Sequence, residues 1–256
     1  MGGAATNSGI DFQARTGALA MVSMFAEINE LTALGLPEPL PVERVHFETG
    51  DDVDDLRLSA GNSRSFVQAK RTINLSAEAE SEFSSVIGQV VGQHVNDPGP
   101  DAYVLATTSG ASSRITGELK RLFDAARLNR GHAANPSTKT EANVRDTTYT
   151  HIDRHFKALT KKEITENERT EILAKLHVQV LDLEAGAPLE RAVLSVLAAR
   201  GVPSASAAWE QLITLALTLA KHRLSIDRPW TDEQAGTGAH RFKRHWPRSR
   251  RGGRCP

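Results

Sequence analysis

The chain has 256 residues, 39% hydrophobic and 24% charged, with 31 Lys and Arg against 31 Asp and Glu and a single Cys. That length and apolar fraction allow a buried core in one or two domains and exclude wholesale disorder. No uncharged apolar run approaches the roughly 20 residues of a membrane span, and one cysteine can form neither an intrachain disulfide nor a zinc cluster. No positively charged region precedes the apolar stretch 18–26, as a secretory signal would require, so a cytoplasmic protein is expected. The zero net charge hides segregation: residues 232–256 carry seven basic and two acidic side chains, leaving 24 basic and 29 acidic in the rest.

Ala18, Met21, Val22, Phe25 and Ile28 recur at spacings of three and four, which predicts a helix over 8–31, with Ser8 and Asp11 as a capping box. Gly35, Pro37 and Pro39 end it. Polarity alternates through 45–48, 53–58 and 65–70, with turns at Gly50-Asp51-Asp52 and Gly61-Asn62-Ser63, which predicts an antiparallel meander. Residues 76–95 read as a helix with Phe83, Val86, Ile87, Val90 and Val91 on one side. The run AYVLAT at 102–107 reads as a central strand covered on both faces, and a helix follows over 115–128. The order of strands and helices predicts an α/β or α+β layer fold with a mixed central sheet flanked by helices.

The polar stretch 131–149 reads as a surface loop. Residues 150–229 read as mainly helical, with capping boxes at Thr160/Glu163 and Thr165/Glu168 and helix starts at Pro188 and Pro203; 176–183 is a further strand. Beyond Pro229 the hydrophobic periodicity stops, and 230–256 reads as a disordered basic tail. His151 and His155 read as a solvated pair, because no third ligand accompanies them. Thr108-Ser109-Gly110 lacks the preceding Gly of a nucleophile elbow.

The chemistry concentrates in Asp51-Asp52-Val53-Asp54-Asp55 and Phe66-Val67-Gln68-Ala69-Lys70-Arg71. Side chains alternate along a strand, so Phe66, Gln68 and Lys70 share one face, and an adjacent strand would set an acidic group beside them. Hydrolysis of a phosphodiester calls for a divalent cation on the phosphoryl oxygen and a second positive group near the attacking water. An Asp carboxylate, the Gln68 amide oxygen and the backbone carbonyl between Gln68 and Lys70 are hard oxygen donors that suit Mg²⁺. The competing reading is a solvated acidic turn beside an ordinary exposed strand.

These residues resemble the active-site hairpin of the PD-(D/E)xK nuclease superfamily, in the variant where Gln replaces the second acidic residue, as in Mrr-type restriction endonucleases. The closer resemblance is to the N-terminal double-stranded DNA endonuclease domains of bacterial antiphage effectors of the CBASS and antiviral STAND systems, whose Gly-x-Asp-(Phe/Tyr)-Gln helix is matched by Gly9-Ile10-Asp11-Phe12-Gln13. The resemblance implies a restriction-endonuclease-like fold, with Asp54, Gln68 and Lys70 as the catalytic set. Asp54 and Gln68 would bind Mg²⁺, or Mn²⁺ in its place, with Asp52 and the helix-borne Glu27 or Glu30 as further candidate ligands. Arg71 and Lys70 would contact the DNA.

The expected organisation is a nuclease core over 1–130, a loop over 131–149, a helical continuation over 150–229 and the tail over 230–256. Such domains are usually fused to a sensor or NTPase module, and no Gly-x-x-x-x-Gly-Lys-Ser/Thr loop occurs in this sequence. The expected partners are therefore double-stranded DNA, further copies of the chain, or a separate sensor or NTPase protein, and no membrane. The rival expectation is a non-catalytic DNA-binding or assembly module, and a third is a Mg²⁺-dependent ribonuclease.

Overall fold

The computed structural model describes residues 3–26, 34–36, 41–53, 55–99, 101–128 and 136–228. Among these, helix α1 (Gly3–Ala26) is followed by strands β1 (Arg44–Phe47), β2 (Leu56–Ala60) and β3 (Ser63–Ala69), helix α2 (Glu82–Asn96) and strand β4 (Asp101–Thr107). A π-helical stretch, Arg114–Leu119, leads into α3 (Lys120–Leu128); then come α4 (Lys139–Thr160), α5 (Glu166–Lys175), β5 (Leu176–Val180), α6 (Pro188–Ala199), α7 (Ala205–Lys221) and β6 (Ser225–Asp227). The six strands form one mixed sheet in the order β5-β4-β3-β2-β1-β6. A mixed α/β architecture with a helical C-terminal portion is thus the fold class. No helix among the described residues is long and apolar enough to cross a membrane.

The chain divides into two compact units. Of the described residues, one comprises those within 3–49, 55–64 and 182–228, the other those within 50–53 and 65–181. In the first, β1 pairs antiparallel with β2 and with β6, so that Val45 lies opposite Leu58 and Ile226. Alternation puts Val45 and Phe47 on the buried side. Helix α1 packs against α6, α7 and β1. Its side chains from Thr16 to Met24 are buried on every side, not along a single stripe. Small residues make this possible: Phe47 lies so close to Gly17 that a Cβ there would sit 2.4 Å from its Cε1.

In the second unit, β4 and β5 run parallel, with Tyr103 opposite Leu176 and Thr107 opposite Val180. All seven residues of β4 are buried, as its unbroken apolar run predicts. Phe66, Tyr103 and Leu105 from the strands meet Phe83, Val86, Ile87, Val90 and Val91 of α2, together with Ile152 and Phe156 of α4. The face predicted for α2 is therefore the face it buries.

Several expected boundaries are corrected. The stretch 131–149, read as a loop, is helical from Lys139, because Thr138 caps the Glu141 N–H and Val144 and Thr148 are buried inside the unit. Thr160 ends α4 and donates to the Phe156 carbonyl instead of starting a helix, whereas the Thr165/Glu168 capping box is present. Helix α1 begins before Ser8, and Asp11 pairs with Arg15 at 2.8 Å instead of capping. Residues 76–81 are not helical: Ser76 and Ser81 hydrogen-bond the backbone at Glu78, and α2 starts only at Glu82. In the division into units, 182–228 groups with 1–49. The tail 230–256 lies outside the described residues.

Candidate active site at the end of strand β3

Phe66 belongs to the core beneath α2, so alternation turns Gln68 and then Lys70 toward the same face. Gln68 is 4% exposed. Lys70 sits one residue past β3, and its N–H donates to the Ala106 carbonyl at 2.9 Å, extending the pairing with β4 by one step. Its side chain retains 30% of its exposure, and its ammonium lies 3.8 Å from a Glu82 carboxylate oxygen. Glu82 opens α2, where the Ser81 hydroxyl caps the Ser84 N–H at 3.1 Å. A carboxylate in a first helical turn is favoured by the helix dipole. Glu82 is the partner of Lys70 that sequence reasoning missed; its place after a Ser cap was the available signal.

A buried polar network pins the start of α2. His151, fully buried, donates from Nε2 to the Ser76 carbonyl at 2.7 Å, because a carbonyl only accepts, and its Nδ1 accepts from Arg154 at 2.6 Å. Arg154 also donates to the Ser84 hydroxyl at 2.6 Å, and that oxygen is 3.0 Å from Nε2 of His155. Burial holds the His155 pKa below its ordinary value, and Arg154 lowers it further. The expectation of a solvated His pair is therefore overturned: both rings are fastened to the segment that precedes and opens α2.

The acidic turn distributes its residues. Asp54, with Glu27 and Glu30, lies outside the described residues. Asp52 accepts from the Asn96 amide at 2.8 Å, its N–H donates to Gln93 at 3.1 Å, and its carboxylate crosses Gly92 so closely that a Cβ there would be 2.9 Å from Cγ. Gly92 is ten residues beyond Glu82, or about 15 Å along a helix rising 1.5 Å per residue. The structure thus places Asp52 near the far end of α2 from Lys70 and does not bring the two together. Val53 is buried in the core with Phe66. Among the described residues, no group of three or more His, Cys, Asp or Glu could hold a metal ion.

The N-terminal signature has a visible role within its own unit. Gln13 donates to the Glu48 carboxylate at 2.6 Å, Phe12 is buried, and Arg15, paired with Asp11, donates to the Leu183 carbonyl at 3.2 Å. Glu48 takes a left-handed backbone conformation with φ of 45°, and its N–H donates to the Asp55 carbonyl at 3.0 Å. A non-glycine residue pays strain to adopt that conformation, and Gln13 and Asp55 hold it there.

Arg71 is exposed, and its carbonyl accepts from the Thr108 hydroxyl at 2.8 Å. On β5, burial and then the nearby Arg127 push the His177 pKa down to about 4; Arg127 itself bridges Asp124 and the Leu176 carbonyl.

No family model matches the chain, and neither a curated protein nor a solved structure does.

Proposed function

We propose that the chain is a metal-dependent endonuclease that cleaves the phosphodiester bonds of double-stranded DNA, acting in the cytoplasm as the effector nuclease of a bacterial antiphage system. The observation that carries this reading is the placement of the Gln68-Ala69-Lys70 motif. A buried amide on β3, a strand inside a mixed sheet, is followed one residue past the strand's end by a partly exposed ammonium beside the start of α2. A solvated, featureless strand would expose Gln68, and Gln68 is 4% exposed.

The donor chemistry fits a hard divalent cation. The Gln68 amide oxygen and the backbone carbonyl of Ala69 are neutral oxygen donors, and Asp54 would add one carboxylate. Mg²⁺ usually takes one or two carboxylates and keeps several waters, so a partial protein shell is adequate. Asp54 and Gln68 would hold the ion, which when bound would polarise a phosphoryl oxygen and acidify a water. Lys70 would orient the attacking water and offset the negative charge that develops at phosphorus. Arg71, exposed beside it, would contact the DNA backbone. Further copies of the chain, or a separate sensor or NTPase protein, would control when the site acts.

The test is incubation of supercoiled plasmid with the purified chain in Mg²⁺, in Mn²⁺ and in EDTA, with Asp54→Ala and a structured RNA alongside. The reading expects cutting of DNA by wild type in Mg²⁺ or Mn²⁺ only, and none by Asp54→Ala. DNA binding that is unaffected by EDTA, with no cutting, would establish the binding-module alternative; preferential loss of RNA would make it a ribonuclease.

A further inference from the structure

We infer that Thr108 is a positioning residue for Lys70, a role that rests on the nuclease reading. Regular pairing of β3 ends where Lys70 begins, because the Lys70 N–H bond to Ala106 is its last step with β4. The strand exit would be free to fray beyond that point, yet the loop following β4 splints it. The Arg71 carbonyl receives the Thr108 hydroxyl at 2.8 Å, the Thr108 N–H at 3.3 Å and, at the long limit, the Thr107 hydroxyl at 3.4 Å. Two residues on, the Ile73 carbonyl receives the Ser112 N–H at 3.0 Å. The peptide of Lys70 is thereby bracketed, by Ala106 on its N–H side and by Thr108 one residue later.

The Thr108 hydroxyl is the centre of the splint. It donates to Arg71 and at the same time accepts the Gly110 N–H at 3.1 Å, which closes the turn of the loop onto the strand exit. Gly110 permits this approach, since a Cβ there would stand 3.2 Å from the hydroxyl oxygen. Thr108 is 5% exposed, so the hydroxyl is directed inward and does not meet solvent or substrate. Serine can make both bonds and valine neither, although valine fills nearly the same space. Without the hydroxyl, the Arg71 carbonyl loses its shortest bond and keeps the longer ones from the Thr108 N–H and the Thr107 hydroxyl, and the backbone that carries the Lys70 side chain gains freedom. Misplacement of a reacting group by about 1 Å costs on the order of a hundredfold in rate.

The experiment compares wild type, Lys70→Ala, Thr108→Val, Thr108→Ala and Thr108→Ser in Mg²⁺-dependent plasmid cleavage, together with amide exchange of the 70–73 segment. Thr108→Val is expected to lower kcat about tenfold or more with KM changed less than threefold, and to speed exchange across 70–73. Thr108→Ser should keep both properties within about threefold of wild type. If the valine variant does not fold, Thr108→Ala gives the same contrast with serine. Cleavage by the valine or alanine variant at the wild-type rate, or equal losses in the serine variant, would overturn the role of Thr108 while wild type against Lys70→Ala still upholds the nuclease. Absence of any cutting by wild type removes the nuclease reading, and this role with it.

Discussion

The Lys70 ammonium and the Glu82 carboxylate face each other across 3.8 Å, one at the exit of β3 and the other at the first residue of α2. The pair is solvent-accessible, with side-chain exposures of 30% and 53%. Exposed ion pairs contribute little, about 0.2–1 kcal/mol at most. Glu82→Gln is therefore expected to leave the melting temperature within about 4 °C of wild type. A differential scanning measurement checks this, and a larger fall would show that the pair supports the fold itself.

His151 makes two hydrogen bonds from full burial, one to Ser76 and one with Arg154. His151→Phe keeps a planar ring against Phe83, which the imidazole meets edge-on at 5.5 Å, but removes both partners. Leaving a buried polar group unmatched costs about 1–3 kcal/mol. Chemical denaturation should show a loss of about 2–3 kcal/mol, with the added effect of loosening 76–84.

Acid should weaken the second unit through His177. Its folded pKa, pushed to about 4 by burial and Arg127, lies below its ordinary 6.5. The unfolded chain therefore binds protons first as pH falls, and stability declines between pH 6.5 and 4 before levelling off. A shift of this size corresponds to about 3 kcal/mol at most. His94 and His155 are displaced in the same direction by burial and act with the same sign. Unfolding free energies measured across that window should fall for wild type and fall less for His177→Gln.

Two glycines of α1 offer a contrast. An added Cβ at Gly17 would collide with Phe47, which is 2% exposed and has no room to yield, whereas nothing lies within 4 Å of the corresponding position at Gly9. Gly17→Ala should lose stability by about 1–2 kcal/mol, because overpacking outweighs the helix-propensity gain. Gly9→Ala should gain about 0.5–1 kcal/mol. Denaturant midpoints measured side by side decide it.

The parts legible in the sequence were those in which local pattern and tertiary demand agree. The Phe83 to Val91 face of α2 and the apolar run of β4 announce their burial by period and composition. The start of α4 was not legible, because its first turns are polar and Val144 is the one apolar side chain among the residues that anchor them, with Thr147 and Thr148. Strand β6 spans three residues and exists by pairing with β1, a partner far away in the chain. The site follows the same rule. Gln68 and Lys70 could be placed on one face by alternation, but Glu82 beside Lys70, Thr108 beneath Arg71 and Glu48 under Gln13 are meetings made by chain return. Asp52, itself one of the candidate ligands, is held instead by Gln93 and Asn96.

Lys70 is the residue on which the nuclease reading turns. The most direct measurement is the rate of Mg²⁺-dependent cleavage of supercoiled plasmid by wild type and by Lys70→Ala, with both proteins shown to be folded. Wild type is expected to cut, and the variant to lose at least about a hundredfold in rate, the scale of removing one electrostatic stabiliser of the transition state. Equal cutting by the two, or none by wild type, would contradict the nuclease reading.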